Sequence, residues 1–239
     1  MLFETFILLF IYIIIVISII IYQLYESYDY YPHLRTLKKD GFKVFLTDDK
    51  ELVLNSLPHG YEFIDYKYII KGCTISTFHR DITSSQYIYN TKYPVYTYIT
   101  YMNDGDLLAL CAGSHLTTPF LFESPIIIKG KPKTSILFNC DIIHAGAINN
   151  FGKTRYAIQS KVCHKDDKQL LKHLIGINKT TYGICNNSRD YYVYILRKIS
   201  LFFPFIFNHI FTKTLQEKPK KDTFIEYLID NFYIGDFYI

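Results

Sequence analysis

Four residues have the types and spacing to build a metal centre beside a bound acid. His79 and Asp81 lie two apart in the run Thr77 to Asp81. In an extended chain alternate residues share a face, so an imidazole and a carboxylate can reach one point. His144 supplies a second imidazole after the apolar run Ser135–Asn139. Two imidazoles and one carboxylate leave three positions open on a six-coordinate ion. That is the donor set of non-haem iron(II) centres, which must admit both a chelating 2-oxo acid and O2. Arg155 opens the next extended run. A guanidinium there can pair bidentately with the far carboxylate of a C5 dicarboxylic acid. A zinc hydrolase can use the same ligands but needs a general base, and no carboxylate is singled out for that role.

Residues around these four read as support. Gln159 shares a strand face with Arg155 and is expected to line the same site. Asp141, three before His144, is expected either to orient that imidazole as an acceptor or to shape a turn. His115 reads as a loop-stabilising histidine rather than a ligand. His33, His59, His164, His173 and His209 have no partnering pattern. Cys73, Cys111, Cys140, Cys163 and Cys185 are dispersed without a CxxC pair, which argues for buried thiols over disulfides or structural zinc.

The elements that must carry these residues are short and β-rich. Runs at Phe42–Leu46, Tyr66–Ile70, Thr74–Phe78, Val95–Tyr101, Leu107–Cys111, Ile126–Lys129, Ser135–Asn139 and Arg155–Val162 alternate with turn signals such as Asn103-Asp104-Gly105 and Ser124-Pro125. Such spacing predicts a mainly β jelly-roll over 41–165 with flanking helices, not a βαβ fold. Helices are expected at Lys165–Ile175, Asp190–Phe211 and Asp222–Phe232, forming a helical extension over 166–239. Residues 26–40 read as a polar stalk with a short helix near Pro32–Lys39.

Before the stalk, Thr5 to Tyr25 holds no charged residue. As a helix this run extends roughly 32 Å, near the bilayer's hydrocarbon thickness of about 30 Å. It lacks the basic start and small-residue cleavage site of a signal peptide. Residues 1–25 are therefore expected to be a single-pass membrane anchor. Arg35, Lys38 and Lys39 just beyond it favour a cytoplasmic side for the rest. Net charge is +4 and evenly spread, which gives no reason to expect nucleic-acid binding.

Three segments resemble the phytanoyl-CoA dioxygenase-like family of Fe(II)/2-oxoglutarate-dependent oxygenases. They are Phe78 to Asp81 (aromatic-H-x-D), Asn103 to His115 (NDGDLLALCAGSH), and Ile136 to Asn149 (ILFNCDIIHAGAIN) followed by Arg155. Ala112 stands where the family often has proline, and Pro132 to Ser135 replaces its Gly-Asp turn. The resemblance implies a double-stranded β-helix (cupin-like) fold. It places iron on His79, Asp81 and His144, and 2-oxoglutarate on Arg155. The reaction it implies is hydroxylation with release of succinate and CO2. Asp81 argues against halogenation, because related halogenases keep a small residue there. The substrate class stays open among lipids, peptides and small metabolites. The alternative is a non-catalytic, membrane-tethered scaffold on the same fold.

Overall fold

The computed structural model describes residues 2–72, 76–116, 124–148, 154–182 and 191–202. Its elements in chain order are α1 (Leu2–Leu24), β1 (Ser27–Tyr28), β2 (Phe42–Phe45), α2 (Lys50–Asn55), β3 (Tyr61–Phe63), β4 (Tyr66–Gly72), α3 (Gln86–Tyr89), β5 (Tyr96–Tyr101) and β6 (Gly105–Leu110). Then come β7 (Ile126–Gly130), β8 (Ser135–Asn139), β9 (His144–Gly146), β10 (Arg155–His164), β11 (Ile177–Tyr182) and α4 (Tyr191–Phe202).

The strands form two mixed sheets. A small one runs β1-β7-β6-β9, and a large one runs β11-β4-β10-β5-β8-β2 with β3 added against β10. β1 joins β7 and β11 joins β4 in parallel, and the other pairs are antiparallel. Composition explains the centre of the large sheet: β5 reads YTYITY, aromatic and β-branched throughout, and all six residues are buried.

One face of each sheet packs on the other. Leu107, Leu108, Leu110 and Ile128 from the small sheet meet Phe42, Ile99, Tyr101, Ile136, Phe138 and Ala157 from the large one. A bulge between Asp106 and Leu108 inserts Leu107 into the small sheet, so two consecutive leucines both reach this core. Burial of each large apolar side chain here stabilises by about 1.5–3 kcal/mol. The opposite face of the large sheet carries Tyr96, Tyr98, Leu137 and Val162 against Val53 of α2. Asp49 starts that helix, its carboxylate accepting from the Glu51 amide at 2.9 Å.

Seven predicted strands are present within about two residues at each end. The eighth, Thr74–Phe78, differs. Residues 73–75 lie outside the described residues, and residues 76–78 carry no strand. Pairing is limited there to a single bridge between His79 and His144. Lys165–Leu174 is a 3-10 helix kinked at Leu171 rather than an α-helix. The expected stalk contributes β1 to the small sheet, and Arg35 ties it down through ion pairs to Asp29 and Asp40 at 3.0 and 3.1 Å. In the expected helical extension, β11 adds a strand to the large sheet, while α4 takes the first part of the predicted Asp190–Phe211 helix. The expected helix at 222–232 lies outside the described residues.

α1 is apolar on every face, and Phe6, Leu8, Phe10, Tyr12, Ile15 and Ile21 are all exposed. Its Thr5–Tyr22 stretch is long and apolar enough to cross a bilayer.

Candidate metal centre

The backbone brings the two histidines together. His79 and His144 exchange both amide-to-carbonyl hydrogen bonds at 2.9 Å, so they sit directly opposite one another. Their rings lie 4.5 Å apart between centroids. The Asp81 amide donates to the Cys140 carbonyl at 2.8 Å, which draws the chain beyond His79 towards the residues that precede His144. Side-chain ligand atoms of His79, Asp81 and His144 all fall within 4.8 Å of one another, and among the described residues they are the one such group.

Each imidazole is locked by its own chain. Nδ1 of His79 donates to the Thr77 carbonyl at 2.8 Å, and Nδ1 of His144 to the Ile142 carbonyl at 3.0 Å. A carbonyl can only accept, so each Nδ1 carries a proton, which leaves Nε2 as the nitrogen of each ring that can ligate a metal. Nε2 of His144 lies 3.6 Å from Oδ1 of Asp81. Burial, followed by the neighbouring His79, pushes the pKa of His144 down to about 4. Burial alone would raise the pKa of the Asp81 carboxyl. The charges of Lys161, His144 and His79 outweigh it and hold the group well below the usual carboxylate range. The centre thus presents a neutral imidazole at His144 and a carboxylate at Asp81, protonation states that a divalent cation needs.

Arg155 is only 6% exposed, and its guanidinium lies against Gly146. A Cβ on Gly146 would run into Nη1, so the guanidinium occupies the side-chain direction of that position. His144 is two residues earlier on β9 and shares that direction, which places guanidinium and imidazole on one face, roughly 7 Å apart along the strand. Among the described residues, Nη2 donates to the Ala147 carbonyl and Nε, fully buried, has no partner. Burial lowers the pKa of Arg155, and no carboxylate is among the charges acting on it. The group is a buried cation with hydrogen-bonding capacity to spare. Gln159 lies on the same face of β10, half-buried.

Asp141 does not orient His144. Its carboxylate accepts from the Ser85 hydroxyl and from the Gln86 amide at 2.9 Å, closing the start of α3 from across the chain. The turn role is the one it fills. His115 sits away from the cluster, with Nε2 donating to the Lys38 carbonyl at 3.3 Å beneath Gly41. The positive φ of Gly41 and its missing Cβ are both required, because a side chain there would strike the His115 ring. Cys111, Cys140 and Cys163 are free and buried, whereas 73 and 185 lie outside the described residues.

Two supporting residues were not anticipated. Lys161 is fully buried on the inner face of β10, with its Nζ 2.8 Å from Oδ2 of Asp81. A lysine at an alternating inward position of a buried strand was the available signal. Arg197 of α4 is also fully buried. It pairs with both oxygens of Glu26 at 3.1 and 2.9 Å, and donates to the carbonyls of Ser76 and Gly146 at 2.7 and 2.9 Å. Three residues further along the helix, Ser200 accepts from the Phe78 amide at 2.8 Å. α4 therefore braces the segment leading into His79.

No family model matches the chain, and no curated protein does. Solved structures do overlap it in part. EvdMO1 is 14% identical with a TM-score of 0.39, over 48% of this chain, which spans 30% of EvdMO1. EvdO2 from Micromonospora carbonacea var. aurantiaca is 10% identical with a TM-score of 0.42, over 58% of this chain and 91% of EvdO2. HygX from Streptomyces hygroscopicus, solved with nickel and 2-oxoglutarate bound, is 10% identical with a TM-score of 0.40, over 54% of this chain and 84% of HygX. Overlaps this shallow leave function to be read from the chain's own side chains.

Proposed function

We propose that the chain is an Fe(II)- and 2-oxoglutarate-dependent dioxygenase on a double-stranded β-helix, tethered to a membrane by α1. The single observation that carries this reading is the pairing of two sites on one face. One is a three-residue ligand set, His79, Asp81 and His144, that satisfies only part of a metal's coordination sphere. The other is a buried guanidinium, Arg155, on the same face and with no carboxylate of its own.

Each residue has a definite task. His79 and His144 offer Nε2, and Asp81 offers one carboxylate oxygen, to hold Fe(II). Arg155 receives the distal carboxylate of 2-oxoglutarate, completing a charge that burial otherwise leaves uncompensated. Gln159 lines the same face. When bound, the iron with 2-oxoglutarate and O2 supplies the oxidising power, with succinate and CO2 released. The protein contributes ligand geometry, cosubstrate orientation and exclusion of water. A zinc hydrolase fits less well. Asp141, the carboxylate whose charge acts together with that of Asp81, is committed to Ser85 and Gln86 rather than free as a base.

The exposed apolar surface of α1 is accounted for by lipid around it, since a helix apolar on all faces is not stable in water. A membrane-proximal or lipid substrate follows from that tether. The test is succinate release by the purified chain with Fe(II), 2-oxoglutarate and O2. Turnover is expected to need both Fe(II) and 2-oxoglutarate and to vanish in His79→Ala. Equal turnover in that variant, or no Fe(II) uptake by the parent chain, overturns the reading in favour of a non-catalytic scaffold.

A further inference from the structure

We infer that Lys161, together with Thr97, is a positioning residue that decides which oxygen of Asp81 faces a bound metal. The inference rests on the metal-centre reading above. Thr97 and Lys161 are register partners on β5 and β10, so their side chains leave the large sheet side by side on its inner face. Both reach the same atom. Lys161 Nζ donates to Oδ2 of Asp81 at 2.8 Å, and the Thr97 hydroxyl donates to that oxygen as well. Lys161 is itself held in place by the Ser84 and Thr97 hydroxyls at 2.8 and 3.0 Å. Oδ1 is the oxygen turned towards Nε2 of His144, 3.6 Å away.

The chemistry of carboxylates makes this division matter. A free carboxylate can hold a divalent ion through one oxygen or through both. Capture of both positions by Asp81 would close one of the sites that a chelating acid and O2 require. With Oδ2 engaged by an ammonium and a hydroxyl, only Oδ1 is available. Packing alone does not call for this lysine. Its Nζ also lies 3.9 Å from Cys140 Sγ and 5.7 Å from the centroid of the Tyr66 ring, and a buried ammonium carries a desolvation penalty of several kcal/mol per ion that an aliphatic residue would avoid. The charge sits where it does because Asp81 does.

The experiment counts exchangeable waters on Mn(II) bound to the full chain in detergent, from the broadening of its electron paramagnetic resonance signal in isotopically labelled water. Metal is present throughout purification, so that Asp81 keeps a partner when Lys161 is removed. The parent chain is expected to show about three waters, the positions left open by three protein ligands. Lys161→Met is expected to lose about one as Oδ2 joins the metal, with Thr97→Val falling between the two. A purely structural lysine would leave the count of the folded protein unmoved. The inference is overturned if Thr97→Val keeps the full count while Lys161→Met either keeps it too or yields no folded protein. A parent chain that takes up no Mn(II) instead overturns the metal-centre reading itself, which separates the two failures.

Discussion

Two buried arginines touch Gly146, and they are provided for in opposite ways. Arg197 uses four of its five N–H donors, on a carboxylate engaged at both oxygens and on two backbone carbonyls. Arg155 has one carbonyl and a buried Nε without a partner among the described residues. Burying a guanidinium is expensive in either case, and native chains rarely leave such a group short of acceptors. The well-paired arginine therefore reads as a fastening between α4, Glu26 and the ligand segment. The under-paired one reads as a receptor for an anion that arrives from outside the chain.

The comparison can be broken most forcefully at the fastening. Arg197→Met leaves Glu26 with Lys198 alone, at 2.7 Å, and strips two carbonyls of their donor. Unfolding by denaturant is expected to register a loss of about 3–5 kcal/mol. A loss under about 1 kcal/mol would mean that Arg197 fastens nothing.

Acid titration comes next, and it leaves both guanidinium charges untouched. His144 is held near pKa 4 in the folded chain against an ordinary 6.5, so on acidification the unfolded chain takes up a proton that the folded one refuses. Stability of the metal-free protein is therefore fully present above about pH 6.5 and declines as pH falls towards about 4. The contribution is on the order of 3 kcal/mol. His144→Gln should flatten that part of the pH–stability curve, and an unaltered curve would refute the assignment.

Gly146→Ala is the next smaller perturbation. Its methyl displaces the Arg155 guanidinium, for which about 1–3 kcal/mol of overpacking is expected. The concentration of 2-oxoglutarate at half-maximal turnover should rise alongside. The smallest stability effect belongs to Arg155→Met. Removing an under-paired buried charge should leave stability within about 1 kcal/mol of the parent, or raise it. The demand for 2-oxoglutarate should nonetheless climb at least ~30-fold, as truncating one side of a buried charge pair implies. Large destabilisation without a change in that demand would make Arg155 another fastening.

Much of the sheet architecture was legible because short β-branched and aromatic runs between turn signals mark strands, as in YTYITY of β5. His79, Asp81, His144 and Arg155 were legible as residue types at spacings that a metal and an acid require. What stayed hidden was register and long-range support. That Lys161 reaches Asp81 depends on β10 pairing Lys161 with Thr97, which no local pattern encodes. Asp141 was offered as a partner of His144 because it is close in sequence, but the turn between them sends its carboxylate to Ser85. The strand expected at Thr74–Phe78 reduces to one bridge, because the described part of that segment is held by α4 rather than by a neighbouring strand. α1 was visible from its unbroken apolar run alone.

The brace supplied by α4 also has a bearing on the order in which the protein can be assembled. Every residue that would touch iron or its acid has been synthesised by Gln159, yet the clamp on Ser76 and Gly146 is not made until Arg197. A fragment trimmed to the β-rich stretch would carry the complete chemical inventory and still lack the strut that steadies the approach to His79. This helix, the last among the described residues, thus acts as a keystone: the centre is written early in the chain and braced late.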